Sequence, residues 1–489
     1  MVPPVIVIAL LGAALRAGKR ALASGSNSAM IGCNMALAPR FVLVFLLTVA
    51  MLCRAGSVSA QDDPPTSPQG SAAHAEPARP APVSSTAERI FETARGKLLQ
   101  IRTELGASGR QTTLGSGFLV DADLALTNYH VVSQYLLEPD LYRLEYFTAA
   151  NDRGAVQVLG FDIADDLALV KIDHRQPEHF SFDTRKLEDL VKGEQLYAMG
   201  NPLDIGFAIV EGTYNGLVER SYTPRIHFSG AVNQGMSGGP AVTSNGDVVG
   251  INVATRLDGE LVSFLVPAQY AMALLARAPR DPPKPDALRA ELGRQIAARE
   301  TELYARLEAV GLQAANFGPY IAAESKASWF TCWGNTNAEQ VPKPRAIVEN
   351  TNCSSDSDAF IANDLRIGHL YVTHSYIRSV DLNAFQFAAY VATQNGLQWP
   401  ARWREKWHTP PRCTQDLTRA GAGKGPPVEA IWCARTYKDF PDLYDIAITT
   451  ITQDRNAEAL VSRLSLQAVT YEAAQKLGAQ FLEALKWHE

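Results

Sequence analysis

Apolar and polar positions change their spacing several times along the 489 residues, and each change marks a different kind of segment. Phe41 to Leu52 is an apolar run behind Arg40, and residues 61–86 farther on are rich in Pro, Ala and Ser with few large apolar side chains. Such a composition buries too little surface to offset chain entropy, so 61–86 reads as a disordered linker. From 87 to about 104, Ile90, Ala94, Leu98 and Ile101 fit one helical face, although the later part also fits a first strand. Residues 113–278 carry short β-branched and apolar runs between Gly, Asn and Asp turns, as in 117–120, 167–172, 195–199 and 248–253. That pattern predicts a mainly β domain, a barrel or a sandwich. Asp281-Pro282-Pro283-Lys284-Pro285 is a stiff break, and 286–313 returns to helical spacing through Leu288, Leu292, Ile296, Leu303, Leu307 and Val310.

Beyond about 317 the composition shifts. All seven tryptophans lie there, with Cys332, Cys353, Cys413 and Cys433. The region reads as a separate α+β domain of unknown role, closed by a helix from Ala457 to Trp487. Its tryptophans are expected in an aromatic core in preference to a binding surface. No internal repeat is present.

Composition narrows the function classes. The chain carries −6, and residues 1–60 hold five basic and no acidic side chains, so the remainder carries −11. Without a long basic run, nucleic acid is not an expected partner. Residues 35–60 have the parts of a secretory signal: Arg40, the short apolar run, and Val58-Ser59-Ala60 before Gln61. The run is well below the roughly 20 residues that span a bilayer, so cleavage is favoured over an uncleaved anchor, the only membrane attachment expected. A second apolar stretch, 2–15, points to a true start at Met30 or Met35. In an exported protein four cysteines suggest two disulfides. Three pairings are open, and Cys332–Cys353 with Cys413–Cys433 closes the shortest loops. Zinc has no C-x-x-C spacing to begin a site. His369 and His374, near Asp364 and Asp381, read as ordinary solvated or core histidines before they read as metal ligands. His227 reads as structural, and His174 and His179 as surface. No metal and no cofactor are expected.

Three segments carry candidate chemistry. Thr127-Asn128-Tyr129-His130 ends an apolar strand on a histidine. Asp165-Asp166 precedes the apolar run from Leu167. Gly235-Met236-Ser237-Gly238-Gly239-Pro240 places a serine among glycines, which admit positive φ and close approach of a substrate. A serine hydroxyl needs a base, a carboxylate to orient that base, and donors for the oxyanion. His130, Asp166 and Ser237 can supply the first three parts, and the amides of Gly235 and Ser237 the last. Asp165 is the competing acid.

These segments resemble the chymotrypsin-fold serine proteases, in particular their HtrA/Deg-type bacterial branch. Gly115-Ser116-Gly117-Phe118, Thr127-Asn128-Tyr129-His130-Val131-Val132, Asp166-Leu167-Ala168-Leu169, Gly200-Asn201-Pro202, the serine loop and Val249-Gly250-Ile251-Asn252 carry the likeness, over roughly 110–270. It implies a double β-barrel in a protease domain of about 87–280, an acyl-enzyme on Ser237, protein or peptide substrates, and the periplasm ahead of full secretion. Met236 stands where the family commonly has Asn, and no G-L-G-F-like loop of a PDZ domain follows residue 280. By the same resemblance Ala231, six before the serine, lies at the base of the S1 pocket, and Ala254 and Thr255 line it. No acid is present there, so small or medium apolar P1 residues are expected. Two rivals remain: a chaperone or binding module on a protease fold, and a protease that processes only itself or one partner. The oligomeric state is open.

Overall fold

The computed structural model describes residues 84–488, apart from 186, 256–260, 363, 395, 397, 398 and 400–404 and the side chains of 254 and 255. The expected export signal, the alternative start and most of the linker lie outside these residues. At the linker's end, Ser84 caps helix α1 (Ser85–Ala94) by accepting from the Ala87 amide at 3.2 Å, so residues 84–86 are ordered instead of linker.

Two closed six-stranded antiparallel barrels follow, in line with a chymotrypsin-like architecture. The first comprises β1 (Leu98–Leu105), β2 (Gln111–Leu119), β3 (Leu124–Thr127), β4 (Tyr142–Thr148), β5 (Arg153–Asp162) and β6 (Leu167–Ile172). Helix α2 (Tyr129–Leu137) leaves β3 directly. The second barrel comprises β7 (Gln195–Gly200), β8 (Ala208–Leu217), β9 (Ile226–Phe228), β10 (Pro240–Val242), β11 (Val248–Thr255) and β12 (Ser263–Pro267). Closure leaves neither barrel with an exposed hydrogen-bonding edge. Helix α3 (Ala268–Arg277) then packs over the junction, where Ala271 and Leu274 join Phe118, Leu126, Met199 and Ile251 in one apolar cluster.

Helix α4 (Pro285–Val310) serves two cores. Leu288, Leu292 and Ile296 enter the core of the first barrel, and Leu303, Tyr304 and Leu307 enter the C-terminal one. Two expectations change here. The helix stops three residues before 313, because Gly311 takes φ +72° and β13 (Leu312–Phe317) begins. Val310, expected on the apolar face, is 42% exposed.

The C-terminal region is built on β15 (Phe330–Thr336), β16 (Ala346–Ser355), β19 (Leu370–Ser379), β20 (Arg412–Arg419), β21 (Pro427–Thr436), β22 (Leu443–Thr452) and β23 (Glu458–Thr470). These form a seven-stranded antiparallel sheet in the order β15-β16-β19-β23-β22-β21-β20. Beside it lie a three-stranded sheet of β13, β14 (Tyr320–Ser325) and β24 (Lys486–Trp487), and a hairpin of β17 (Ala359–Ala362) and β18 (Leu365–Ile367). Helices α5 (Ala384–Thr393) and α6 (Tyr471–Ala484) complete it.

The helix expected over 457–487 is therefore wrong in its first half, which is the central strand β23. That strand is buried on both faces, and an apolar run buried on both faces loses the alternation that marks a strand. Cys332–Cys353 and Cys413–Cys433 are disulfides, each joining directly paired residues of neighbouring strands. Of the tryptophans, Trp329 and Trp407 are buried, whereas Trp333 is 72% exposed, so the aromatic core expected there takes only part of them.

Because Leu292 is a fully buried contact of α4 in the first-barrel core, Leu292→Ala should lower the unfolding free energy by about 2–5 kcal/mol in urea titration.

Candidate active site

Strand pairing brings the histidine and an acid together. β3 and β6 are antiparallel neighbours with Thr127 opposite Ala168, so the end of one strand meets the start of the other. Asp166, just ahead of β6, takes φ +56°. Its carbonyl accepts from Asn128 Nδ2 at 2.7 Å and from the Tyr129 amide at 3.2 Å. Its carboxylate then grips His130 twice: Oδ1 accepts from the backbone N–H at 2.9 Å, and Oδ2 lies 2.6 Å from Nδ1. Both side chains are mostly buried. A carboxylate on Nδ1 keeps a proton there and leaves Nε2 as the acceptor.

Asp165 goes elsewhere. Its Oδ1 accepts from Arg225 Nη1 at 3.3 Å. Burial raises its pKa from 3.8 to about 6, against the lowering effect of Arg225. Of the two neighbouring acids, Asp166 alone meets His130.

The serine loop is held by the first barrel. Ser116 Oγ donates to the Gly235 carbonyl at 2.7 Å and accepts from the Asn201 amide at 2.8 Å. The Ser116 amide donates to the Ser237 carbonyl at 2.7 Å. From the second barrel, Asn252 Nδ2 donates to the carbonyls of Met199 and Met236 at 2.9 and 3.2 Å. Gly235 (φ +92°) and Gly238 (φ +87°) have no room for a side chain, since a Cβ would lie 2.5 Å from the Asn201 carbonyl and 2.3 Å from that of Ser116.

These bonds orient two peptide planes. The Gln234 carbonyl accepts from the Leu203 amide at 2.9 Å, and the Met236 carbonyl from the Gly239 amide at 3.0 Å. In a trans peptide the N–H points opposite to the C=O. The amides of Gly235 and Ser237 thus face away from those partners, and among the described residues neither donates to another group. Ser237 itself is partly buried, its hydroxyl directed at the Val253 carbonyl at 3.4 Å. Among the described residues no hydrogen bond joins it to His130.

Met236, the departure from the usual Asn, is fully buried among Leu196, Ala198, Phe228 and Val232, and its Sδ accepts from the Asn233 amide at 3.5 Å. The side chain thus anchors the turn in the second-barrel core. Ala231 is exposed, and its carbonyl accepts from Asn233 Nδ2 at 3.2 Å. Ala254 and Thr255 lie on β11 opposite Phe264 and Ser263, but their side chains are outside the described residues.

The remaining candidates disperse. His374 is buried between Ser462 Oγ (2.8 Å) and the Ala323 carbonyl (2.7 Å), and burial lowers its pKa to about 4. His369 pairs with Asp358, Asp364 accepts from Trp407 Nε1, and Asp381 pairs with Arg345. Glu324 lies close to Cys332 and Cys353, but a disulfide offers no thiolate to a metal.

Residues 115–251 match the family described as Trypsin-like peptidase domain. Over 187 residues the chain is 34% identical to a Pseudomonas putida protein named "Probable periplasmic serine endoprotease DegP-like", covering 35% of this chain and 36% of that one. A Marinomonas protein of the same name is 34% identical over 178 residues, covering 34% and 36%. The chain thus spans about a third of the length of these curated relatives. Among solved structures, a serine endoprotease from Yersinia pestis is similar at 23% identity and a TM-score of 0.35, over 40% of this chain and 67% of that one. The Rv3671c protease of M. tuberculosis aligns at 20% identity and a TM-score of 0.35, over 44% and 98%.

Ser116 and Asn252 stand inside sequence motifs that suggest no role for either. The structure makes them the ties that hold the serine loop. Phe360 gave no signal in the sequence, yet its ring lies 4.9 Å from the His130 ring.

Asp165 yields a pH prediction. Its folded pKa exceeds the unfolded value, so the native chain binds the proton more tightly and stability falls as pH rises from 3.8 to about 6. Asp165→Asn should flatten that part of the curve of unfolding free energy against pH, measured by urea titration.

Proposed function

We propose that the chain is an exported serine endopeptidase in which His130, Asp166 and Ser237 act together. The observation that carries this reading is the two-point grip of Asp166 on His130, which frees Nε2 as a base on a domain of peptidase type. The Ser237 hydroxyl turns from the Val253 carbonyl to Nε2, gives up its proton there and attacks the substrate carbonyl carbon. The amides of Gly235 and Ser237 receive the oxyanion. One such donor is worth about 2.7–4 kcal/mol in the transition state. The C–N bond breaks as Nε2 returns the proton to the leaving amine. Water, deprotonated by the same nitrogen, then cleaves the ester and restores Ser237. Asp166 holds the tautomer throughout and stabilises the imidazolium.

Substrates are proteins or peptides. Ala231 brings no charge to the S1 base, which with Ala254 and Thr255 favours small or medium apolar P1 residues. The periplasm is the proposed location. The signal-like segment 35–60 supports it, as does the word periplasmic in the names of the relatives.

The central test is labelling of the purified mature chain with a fluorophosphonate, alongside Ser237→Ala. Labelling and casein hydrolysis should both fall by about a thousandfold or more in the variant. Labelling that persists would overturn the assignment of Ser237. In a peptide library, cleavage should favour Ala, Val and Leu at P1 by about 10–200-fold over poorly fitting side chains. Equal cleavage after Arg would contradict the proposed pocket.

A further inference from the structure

Helix α2, which carries His130, is short and lacks a local cap. It has nine residues, and the Asn128 side chain at its N-cap bonds to Asp166, so the amides of Tyr129 and His130 are met by Asp166, just ahead of β6, and not by a local cap. A helix of this length owes its order to packing. Much of that packing comes from outside the two barrels. Ala359, Ile361, Ala362, Leu365 and Ile367 of the β17–β18 hairpin share one buried cluster with Val131, Val132 and Leu136 of α2.

Two contacts reach the site itself. The Tyr129 hydroxyl donates to the Ile361 carbonyl at 2.7 Å, a buried bond, and burial with the nearby Asp166 charge holds that phenol protonated. A neighbour of each partner meets too: the Phe360 ring lies 4.9 Å from the His130 ring at 38°. Arg366 stacks on Phe360 at 4.5 Å and is itself 3.6 Å from Asp358, so the ring is supported from within its own hairpin. At the other end of α2, Arg289 of α4 donates to the Leu137 carbonyl, and Lys406 pairs with Glu138.

We propose that the C-terminal hairpin is a working part of the peptidase, with Phe360 and Ile361 as positioning residues for His130. The inference rests on the peptidase reading of Ser237. The Asp166 grip sets the tautomer and anchors the Nδ1 side of the imidazole. The Phe360 face and the Tyr129 anchor restrict tilt about that anchor, and with it the reach of Nε2 toward Ser237. An error of about 1 Å in such a placement can cost about a hundredfold in rate.

The test uses the full mature chain, with active sites counted by fluorophosphonate and kcat expressed per titrated site on an apolar-P1 peptide. Phe360→Ala should lower kcat by about 10- to 100-fold with KM within about twofold. Phe360→Tyr, which keeps the ring, should restore most of it. Tyr129→Phe removes only the hydroxyl and should lower kcat per site by several-fold. Leu417→Ser, on the exposed edge strand β20, should leave kcat unchanged. If Phe360→Ala does not fold, Tyr129→Phe carries the test alone. Unchanged kcat per site in the folded variants overturns the proposal, and so does a rise in KM alone, which would make Phe360 a substrate-contacting wall. A wild-type chain that neither labels at Ser237 nor hydrolyses peptide defeats the peptidase reading first. A wild-type chain that labels normally beside indifferent variants defeats only this inference.

Discussion

Ser116 Oγ joins the two barrels at the point where the site forms. It donates to the Gly235 carbonyl and accepts from the Asn201 amide, so a hydroxyl on the first barrel sets the backbone of a loop on the second. Each barrel closes on itself and could keep its own hydrogen bonds without the other. The serine loop would lose two of its ties, because the carbonyls of Gly235 and Ser237 are held by the hydroxyl and the amide of Ser116. The glycines follow from the same constraint. With the loop drawn against Ser116 and Asn201, a Cβ at Gly235 or Gly238 would overlap backbone atoms.

The histidine side depends on register. Antiparallel pairing of β3 with β6 delivers Asp166 beside the start of α2, and the positive φ of Asp166 lets its carbonyl and its carboxylate serve the same short segment. The α2 helix is then enclosed by α4 and the β17–β18 hairpin, which belong to later parts of the chain. Two regions that differ in composition therefore share one apolar cluster. A change in the C-terminal region can reach His130 through side chains in direct contact.

The C-terminal sheet contains its own buried charges. Asp445 accepts from Arg435 at 2.6 Å and from the Tyr437 hydroxyl at 2.6 Å, all within the interior. Such a group is tolerated because several donors meet one carboxylate, and removing one partner would leave a buried charge uncompensated. Tyr437 also lies in the cluster that includes α2, so this network borders the packing that supports the histidine.

How much of this was legible in the sequence varies with the range of the forces involved. The short strands, the glycine-flanked serine, the helical spacing from Leu288 to Leu307 and the neighbour pairing of the cysteines follow from local patterning, and they recur in the structure. Local patterning misread β23, because burial on both faces removes the period of two that marks a strand. It favoured Asp166 but kept Asp165 as a competitor. Adjacent residues of one type look alike in sequence, and only the pairing of β3 with β6 puts one on His130 and the other on Arg225. The residue types and order of the candidate site, His130, Asp166 and Ser237, were thus determined by the sequence itself. Tertiary structure alone decided what holds them: Ser116 across the barrels, Met236 in the core, and Phe360 from 230 residues downstream of His130. Those contacts depend on which surfaces meet when the chain closes, and no local spacing encodes that.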